Sequence, residues 1–242
     1  MATFVLVHGA FGGGWEWRKV ADLLLARGHV PFTPTLTGLG ERAHLARPEV
    51  DLETHIADVV GVLSFEDLYD VILLGQSSGG GVVTGVADRL PDRLARLVYV
   101  DALVPAGGQS AIDCFPASVA EDSMLGPARE RGDGWLIPVI EEELLGLPPD
   151  VSSWYYPRLV PQPLRTFTQP LRITGDGGSS VPRSFVHCVR DGNDVVSEII
   201  NPFAERARAS GWDYRRFEAA HDAQISDPEG LAAILEEIAL FD

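Results

Sequence analysis

Val71-Ile72-Leu73-Leu74-Gly75-Gln76-Ser77-Ser78-Gly79-Gly80-Gly81-Val82-Val83 is the stretch that decides how the rest of the chain is read. Its first four residues are apolar without interruption, which suits a short strand buried on both faces. Residues 75–79 then spell G-x-S-x-G, and an apolar helix leaves the motif and runs to Arg89. Glycine and serine are common, so the bare pattern means little. Between a strand and a helix it predicts a tight, strained turn that holds the serine hydroxyl out at the carboxyl edge of a sheet. A glycine-rich turn with purely structural serines is the bland alternative.

Outward from that turn, short apolar runs alternate with amphipathic stretches, the rhythm of a parallel sheet covered by helices. Strands are expected at Thr3–Val7, Val30–Thr33, Val71–Leu74, Leu97–Val100, Phe185–Val189 and Tyr214–Glu218. Helices are expected over Trp15–Ala26, Asp51–Leu63, Ser77–Arg89, Asp194–Ala209 and Pro228–Leu240. This predicts an α/β chain, a mainly parallel, doubly wound sheet of about six strands. It reads as a single domain over 1–242. Between about 105 and 170 the alternation stops, and Pro and aromatic residues take over (Phe115, Trp135, Trp154, Tyr155, Tyr156). One short helix is expected near Val139–Leu145, with Pro138 suited to its first turn. A long apolar insert in such a fold reads as a cap or lid over the site.

The net charge of −16 over 242 residues opposes nucleic acid and anionic membrane as partners, since both attract a basic face. No apolar run approaches the ~18 residues of a membrane span. The amino terminus enters Phe4-Val5-Leu6-Val7 without a basic region or a cleavage site, so a cytoplasmic location is expected. Cys114 and Cys188 stand far apart and form no CxxC, which reads as two buried thiols. No histidine pair has metal-ligand spacing, and His221-Asp222 alone is not a metal site.

A serine hydroxyl needs a base. Of the six histidines, His8, His29, His44, His55 and His187 lie in settings that suit packed or solvated side chains. His221 follows the last expected strand in Ala219-Ala220-His221-Asp222, at the same edge of the sheet as Ser77, and is the expected base. The acid that orients it belongs between serine and histidine, at a strand end. Asp191, after Phe185–Arg190, is the first choice; Asp194 is its main rival and Asp101 a further one. For an oxyanion, the backbone N–H of Ser78 is one expected donor and that of Ala10 the other, with Phe11 as the alternative to Ala10. Phe11, Trp135 and Trp154 are the expected substrate-pocket residues.

Together, His8-Gly9-Ala10 with Trp15 and Trp17, the serine turn, Cys188-Val189-Arg190-Asp191, and the His221 loop with Pro228-Glu229 resemble one branch of the α/β-hydrolases. That branch holds the plant methylesterases, the hydroxynitrile lyases and bacterial esterase relatives. The likeness covers nearly the whole chain and is weakest in the insert. It implies an α/β-hydrolase fold with a six-stranded sheet, a small helical cap, no cofactor, and hydrolysis of a small-molecule ester through an acyl-enzyme. Gln76 and Ser78 depart from the residues common in that branch, which affects the acyl pocket. A hydroxynitrile lyase would carry a threonine after the first histidine and a lysine after the catalytic one. Here Gly9 and Asp222 stand there, and a carboxylate repels cyanide. Lactone or C–C bond cleavage would use the same triad. A dinucleotide site is disfavoured, because Gly9–Gly14 is not G-x-G-x-x-G and no acid follows the second strand. A ligand sensor without turnover is the remaining reading from another class. Oligomeric state is not legible.

Overall fold

Alternate side chains of Thr3–Val7 (β1) fall on opposite faces, and both faces are apolar. Phe4 and Leu6 join one buried cluster, Val5 and Val7 the other. The computed structural model describes residues 1–142, 147–189 and 195–240. β1 pairs with Val30–Phe32 (β2) on one side and with Val71–Gln76 (β3) on the other. Leu94–Val100 (β4), Arg183–Cys188 (β7) and Asp213–Phe217 (β8) extend the sheet, giving the order β2-β1-β3-β4-β7-β8 with every neighbouring pair parallel.

Parallel strands need crossovers, and helices supply them on both faces. Leu52–Phe65 (α2), Gly79–Arg89 (α3) and Val195–Ala209 (α8) cover the face of Val5, Leu73 and Tyr99. Arg18–Ala26 (α1) and Pro228–Leu240 (α9) cover the face of Phe4, Leu74 and Val98. The strands leading to Ser77 therefore sit in the middle of two apolar layers. The chain turns one way from β1 to β2 and the other way from β1 to β3. The loops after β1 and β3 thus open a crevice at the carboxyl ends of the strands.

Local signals set the helix ends. Asp51 caps α2 by accepting the Thr54 N–H (3.0 Å), and the Thr54 hydroxyl oxygen accepts the Asp51 N–H (3.4 Å) in return. The expected helix over Trp15–Ala26 instead starts with a tight 3-10 turn at Gly14–Trp17 before α1.

Between β4 and β7 the chain forms Ala117–Ala120 (α4), Gly126–Arg131 (α5), Pro149–Tyr155 (α6) and Arg165–Thr168 (α7). A π-helical turn at Glu121–Leu125 joins α4 to α5. Leu136–Ile137 (β5) and Gln162–Pro163 (β6) form a small antiparallel ribbon. The helix expected over Val139–Leu145 is not seen at residues 139–141, which are irregular; residues 143–146 lie outside the described residues. The connection has its own apolar cluster, built on Met124, Ala128, Ile137 and Phe167, and that cluster rests on Phe11 from the loop after β1.

At its end the connection is tied down by one carboxylate. Asp88 of α3, itself buried, accepts the Thr174 N–H (2.8 Å) and hydroxyl (3.1 Å), the Gly175 N–H (2.9 Å) and the Gly177 N–H (3.0 Å). Burial alone would raise its pKa, but these donors outweigh burial and hold the carboxyl below the usual range. The unfolded carboxyl titrates higher, so this stabilisation is present above the unfolded pKa and disappears as pH falls through the folded one. Asp88→Ala should destabilise the fold by about 1–3 kcal/mol at pH 7, through orphaned buried donors. In thermal melts, the gap between variant and parent should close as pH is lowered below about 4.

Candidate active site

Ser77 occupies the turn after β3 with φ at +52°, left-handed backbone that a residue with a side chain adopts only under constraint. Three segments supply the constraint. The Ser77 N–H donates to the Val100 carbonyl (3.2 Å), and the Ser77 carbonyl accepts from Leu103 (3.0 Å) and Gly80 (3.1 Å). The flanking glycines are required by space. A Cβ at Gly75 would stand 2.6 Å from the Gly79 carbonyl oxygen, and one at Gly79 would stand 2.7 Å from that of His8. The serine turn is therefore wedged between the ends of β1 and β4.

The imidazole of His221 lies against the serine, its Nε2 2.9 Å from Ser77 Oγ. Its Nδ1 is 2.7 Å from Asp101 Oδ2. A carboxylate at Nδ1 keeps the proton there, so Nε2 is left to accept from the serine hydroxyl. Asp101 follows β4 with φ at +45°, and its Oδ1 accepts the Cys188 N–H at 3.0 Å. Asp191, the first choice from sequence, and Asp194, its main rival, lie outside the described residues. The carboxylate seen on Nδ1 is instead Asp101, the candidate the sequence ranked lowest. The reason is sheet order. β4 is the immediate neighbour of β3, about 4.8 Å away, whereas β7 is one strand further.

Among the described residues the N–H groups of Ala10 and Ser78 have no hydrogen-bond partner within the protein. The N–H of Phe11, the alternative to Ala10, donates to Gln162 Oε1 at 3.0 Å. His8 shapes this loop without joining the chemistry. It is fully buried, and burial pushes its pKa down to about 3 despite the Gly9 carbonyl it contacts. The neutral ring donates from Nδ1 to that carbonyl (2.8 Å) and accepts the Leu36 N–H at Nε2 (3.0 Å). The backbone just before Ala10 is thereby fixed.

Ser77, His221, Ala10 and Ser78 open into a cavity of about 130 Å³. Apolar cavities near 150 Å³ take up a single benzene ring, so this space suits a compact group. Its walls are largely apolar, with Phe11, Phe115, Met124, Leu159, Phe167 and Ile200 among them. Of the three expected pocket residues, only Phe11 lines it. Trp154 is 43% exposed and packs edge-on against Trp15, with Arg158 over its ring. Its neighbour Tyr155, about 100° further round α6, is the residue that turns inward. Trp135 also stays outside, where its carbonyl accepts the Leu164 N–H beside the β5–β6 ribbon.

The profile of the Alpha/beta hydrolase family matches residues 4–234. The chain belongs to that family. It is 41% identical to the carbendazim hydrolyzing esterase of Nocardioides sp. (strain SG-4G), an alignment spanning 96% of this chain and 97% of that protein. It is 27% identical to methylesterase 2 of Arabidopsis thaliana, over 81% of this chain and 80% of the relative. An extracellular alpha/beta-hydrolase from a Paenibacillus species superposes with a TM-score of 0.85 at 24% identity, over 98% of each chain, and confirms the fold. With esterases as its full-length relatives, this alpha/beta hydrolase is a carboxylic ester hydrolase.

The lyase arrangement is not favoured in this hydrolase. A Cβ at Gly9, where a threonine would be needed, would stand 2.4 Å from Gln76 Oε1 and 3.0 Å from Ser77 Cβ. Cys114 and Cys188 form no disulfide, and among the described residues no helix is long and apolar enough to cross a membrane and no group of side chains could hold a metal ion.

Sequence reading overlooked one feature of the hydrolase. Glu16 is 2% exposed beneath the cavity wall, where Tyr155 donates to Oε1 (3.0 Å) and the Gln224 amide to Oε2 (3.3 Å). Burial, then repulsion from Asp222, push its pKa up to about 8, so it keeps its proton at neutral pH. No local signal marks this, because Glu16 sits in an ordinary helical turn and meets Tyr155 only through the cap. The unfolded glutamate ionises near pH 4.5, so this group's contribution to stability is full below that value and is lost as pH rises to about 8. Glu16→Gln copies the protonated shape without the titration. The variant should gain on the parent by roughly 5–10 °C in melting temperature between pH 6 and pH 9. A constant gap across that range would show that Glu16 is not the titrating group.

Proposed function

We propose that this alpha/beta hydrolase is a serine carboxylesterase in which Ser77 is the nucleophile, His221 the general base and Asp101 the carboxylate that orients the imidazole. The observation that carries the reading is the unbroken hydrogen-bond chain from Asp101 through His221 to Ser77, facing two unengaged backbone donors. His221 Nε2 removes the hydroxyl proton as Ser77 Oγ attacks the ester carbonyl. The carbonyl oxygen gains negative charge and is held by the N–H groups of Ala10 and Ser78. As the tetrahedral intermediate collapses, the imidazolium returns its proton to the leaving alcohol oxygen. An acyl ester on Ser77 remains. Water then repeats the sequence, giving up a proton to His221, and the carboxylic acid leaves.

The substrate we propose is a small ester with an apolar or aromatic acyl group, matched to a cavity of about 130 Å³ with aromatic walls. The long connection between β4 and β7 acts as the lid, since its apolar cluster rests on Phe11 beside the oxyanion donors. Carbendazim, the compound in the name of the 41% identical relative, is a first substrate to assay. A cytoplasmic location fits the two unbridged cysteines.

Ser77→Ala should lower kcat on a p-nitrophenyl ester by about 10⁴–10⁶-fold and abolish labelling by a serine-directed phosphonate. Near-parental turnover would remove Ser77 from the mechanism. Asp101→Asn should lower kcat by about 10³–10⁴-fold, through loss of the required tautomer. Asp191→Asn should cost far less, and the opposite ranking in steady-state kinetics would move the acid to residue 191.

A further inference from the structure

Phe11 directly follows Ala10, and its backbone stands at φ +65°, a left-handed conformation that a bulky residue keeps only where its surroundings hold it. The hold comes from the connection between β4 and β7. Gln162 Oε1 accepts the Phe11 N–H (3.0 Å), and the Val160 N–H donates to the Phe11 carbonyl (2.9 Å). One short segment, remote in sequence, thus answers both backbone polar groups of Phe11. Gln162 is itself fixed. It is 2% exposed and pairs with Ile137 in the β5–β6 ribbon. Its Nε2 donates to the Thr166 hydroxyl oxygen (2.7 Å), and that hydroxyl donates to the Pro163 carbonyl (2.6 Å). With the Thr166 proton committed, the Gln162 amide turns its nitrogen to Thr166 and its oxygen to Phe11.

We propose that Gln162 is a positioning residue for the oxyanion site, acting from the connection through Phe11 on the Ala10 N–H. This rests on the esterase reading and on Ala10 as one of its two donors. Ala10 sits between two anchors. The Gly9 carbonyl, in the same peptide group as the Ala10 N–H, meets His8, and the Phe11 N–H meets Gln162. The first anchor belongs to the core and the second to the connection. Without the Gln162 acceptor the buried Phe11 N–H is orphaned. Rotation of the Ala10–Phe11 peptide then relieves two faults together, returning Phe11 to ordinary backbone and freeing its N–H for another acceptor. Ala10 shares that peptide and moves with it. A donor stabilises a developing oxyanion only near 2.7–3.1 Å, so a small displacement costs transition-state stabilisation. Substrate binding by the apolar walls is spared. Gln162 therefore makes the connection a contributor to kcat as well as a cover for the cavity.

Gln162→Leu should lower kcat on a p-nitrophenyl ester by about 10–100-fold, with KM within about threefold of the parent. Gln162→Glu keeps an oxygen for the Phe11 N–H, ionised or not, and should hold kcat within about threefold. Two ligands separate a misplaced donor from a disturbed pocket. Benzyl trifluoromethyl ketone takes Ser77 Oγ onto its carbonyl carbon, the serine proton passes to His221, and the hemiketal oxygen carries the negative charge. Benzyl methyl ketone fills the same space without that addition. The Ki of the first should rise in Gln162→Leu by the factor lost from kcat/KM, while that of the second stays unchanged. If the leucine variant does not fold, Gln162→Met supplies the same comparison at nearly the parent length. Parental kcat in the leucine variant, an equal loss in the glutamate variant, or equal weakening of both ketones overturns the proposal. The esterase reading is tested apart from it. A preference for the trifluoromethyl ketone that survived Ser77→Ala would defeat that reading whatever residue 162 does.

Discussion

The left-handed turn at Ser77 is the constraint on which the rest of this hydrolase depends. Such a backbone is unfavourable for serine on its own and persists because its surroundings over-determine it. Here they do so through the Val100 carbonyl, the Leu103 N–H, and two glycines whose missing side chains let Gly75 close on Gly79 and admit the end of β1 at close range. Without that wedge the hydroxyl would relax toward the sheet and away from His221. The two buried helical layers are thus more than a scaffold, because their packing resists the relaxation.

Buried charge is handled by fixing protonation states. His8 stays neutral because it is fully enclosed, and so it can both donate to Gly9 and accept from Leu36. Glu16 stays protonated because it is buried, and the nearby Asp222 adds to the effect. Asp101 is also buried, but its oxygens meet the imidazole and the Cys188 N–H. His8 and Glu16 each hold the form in which their hydrogen bonds are satisfied, and a fixed dipole near a reacting carbonyl needs no reorganisation during the reaction.

The connection between β4 and β7 links stability to access. Phe11 anchors its apolar cluster, Gln162 takes the Phe11 N–H, and the Val160 N–H donates to the Phe11 carbonyl at 2.9 Å. The loop that carries Ala10 is therefore held from above by the connection and from below by His8. That arrangement leaves Ala10 lining the cavity, and the same contacts set the size of the cavity.

What the sequence determined by itself was local. Val71–Leu74 running into Gly75-Gln76-Ser77-Ser78-Gly79 announced the strand, the turn and the serine it presents, because strand propensity, glycine spacing and the following helix are all encoded within a few residues. The position of His221, after the last strand and before the last helix, was legible for the same reason. The carboxylate on the His221 imidazole was not. Asp101 and Asp191 both follow strands and both lie between serine and histidine, and the contact of Asp101 with Nδ1 comes from the sheet order, in which β4 lies beside β3. The pocket aromatics failed similarly, since Trp154 and Tyr155 are adjacent in sequence and only the docking of α6 decides which one faces inward. Glu16 gave no sign at all, because its proton is retained through neighbours that sit 139 and 208 residues away along the chain. Propensity and periodicity act over one or two turns of chain, whereas strand order, helix rotation and burial are properties of the packed whole.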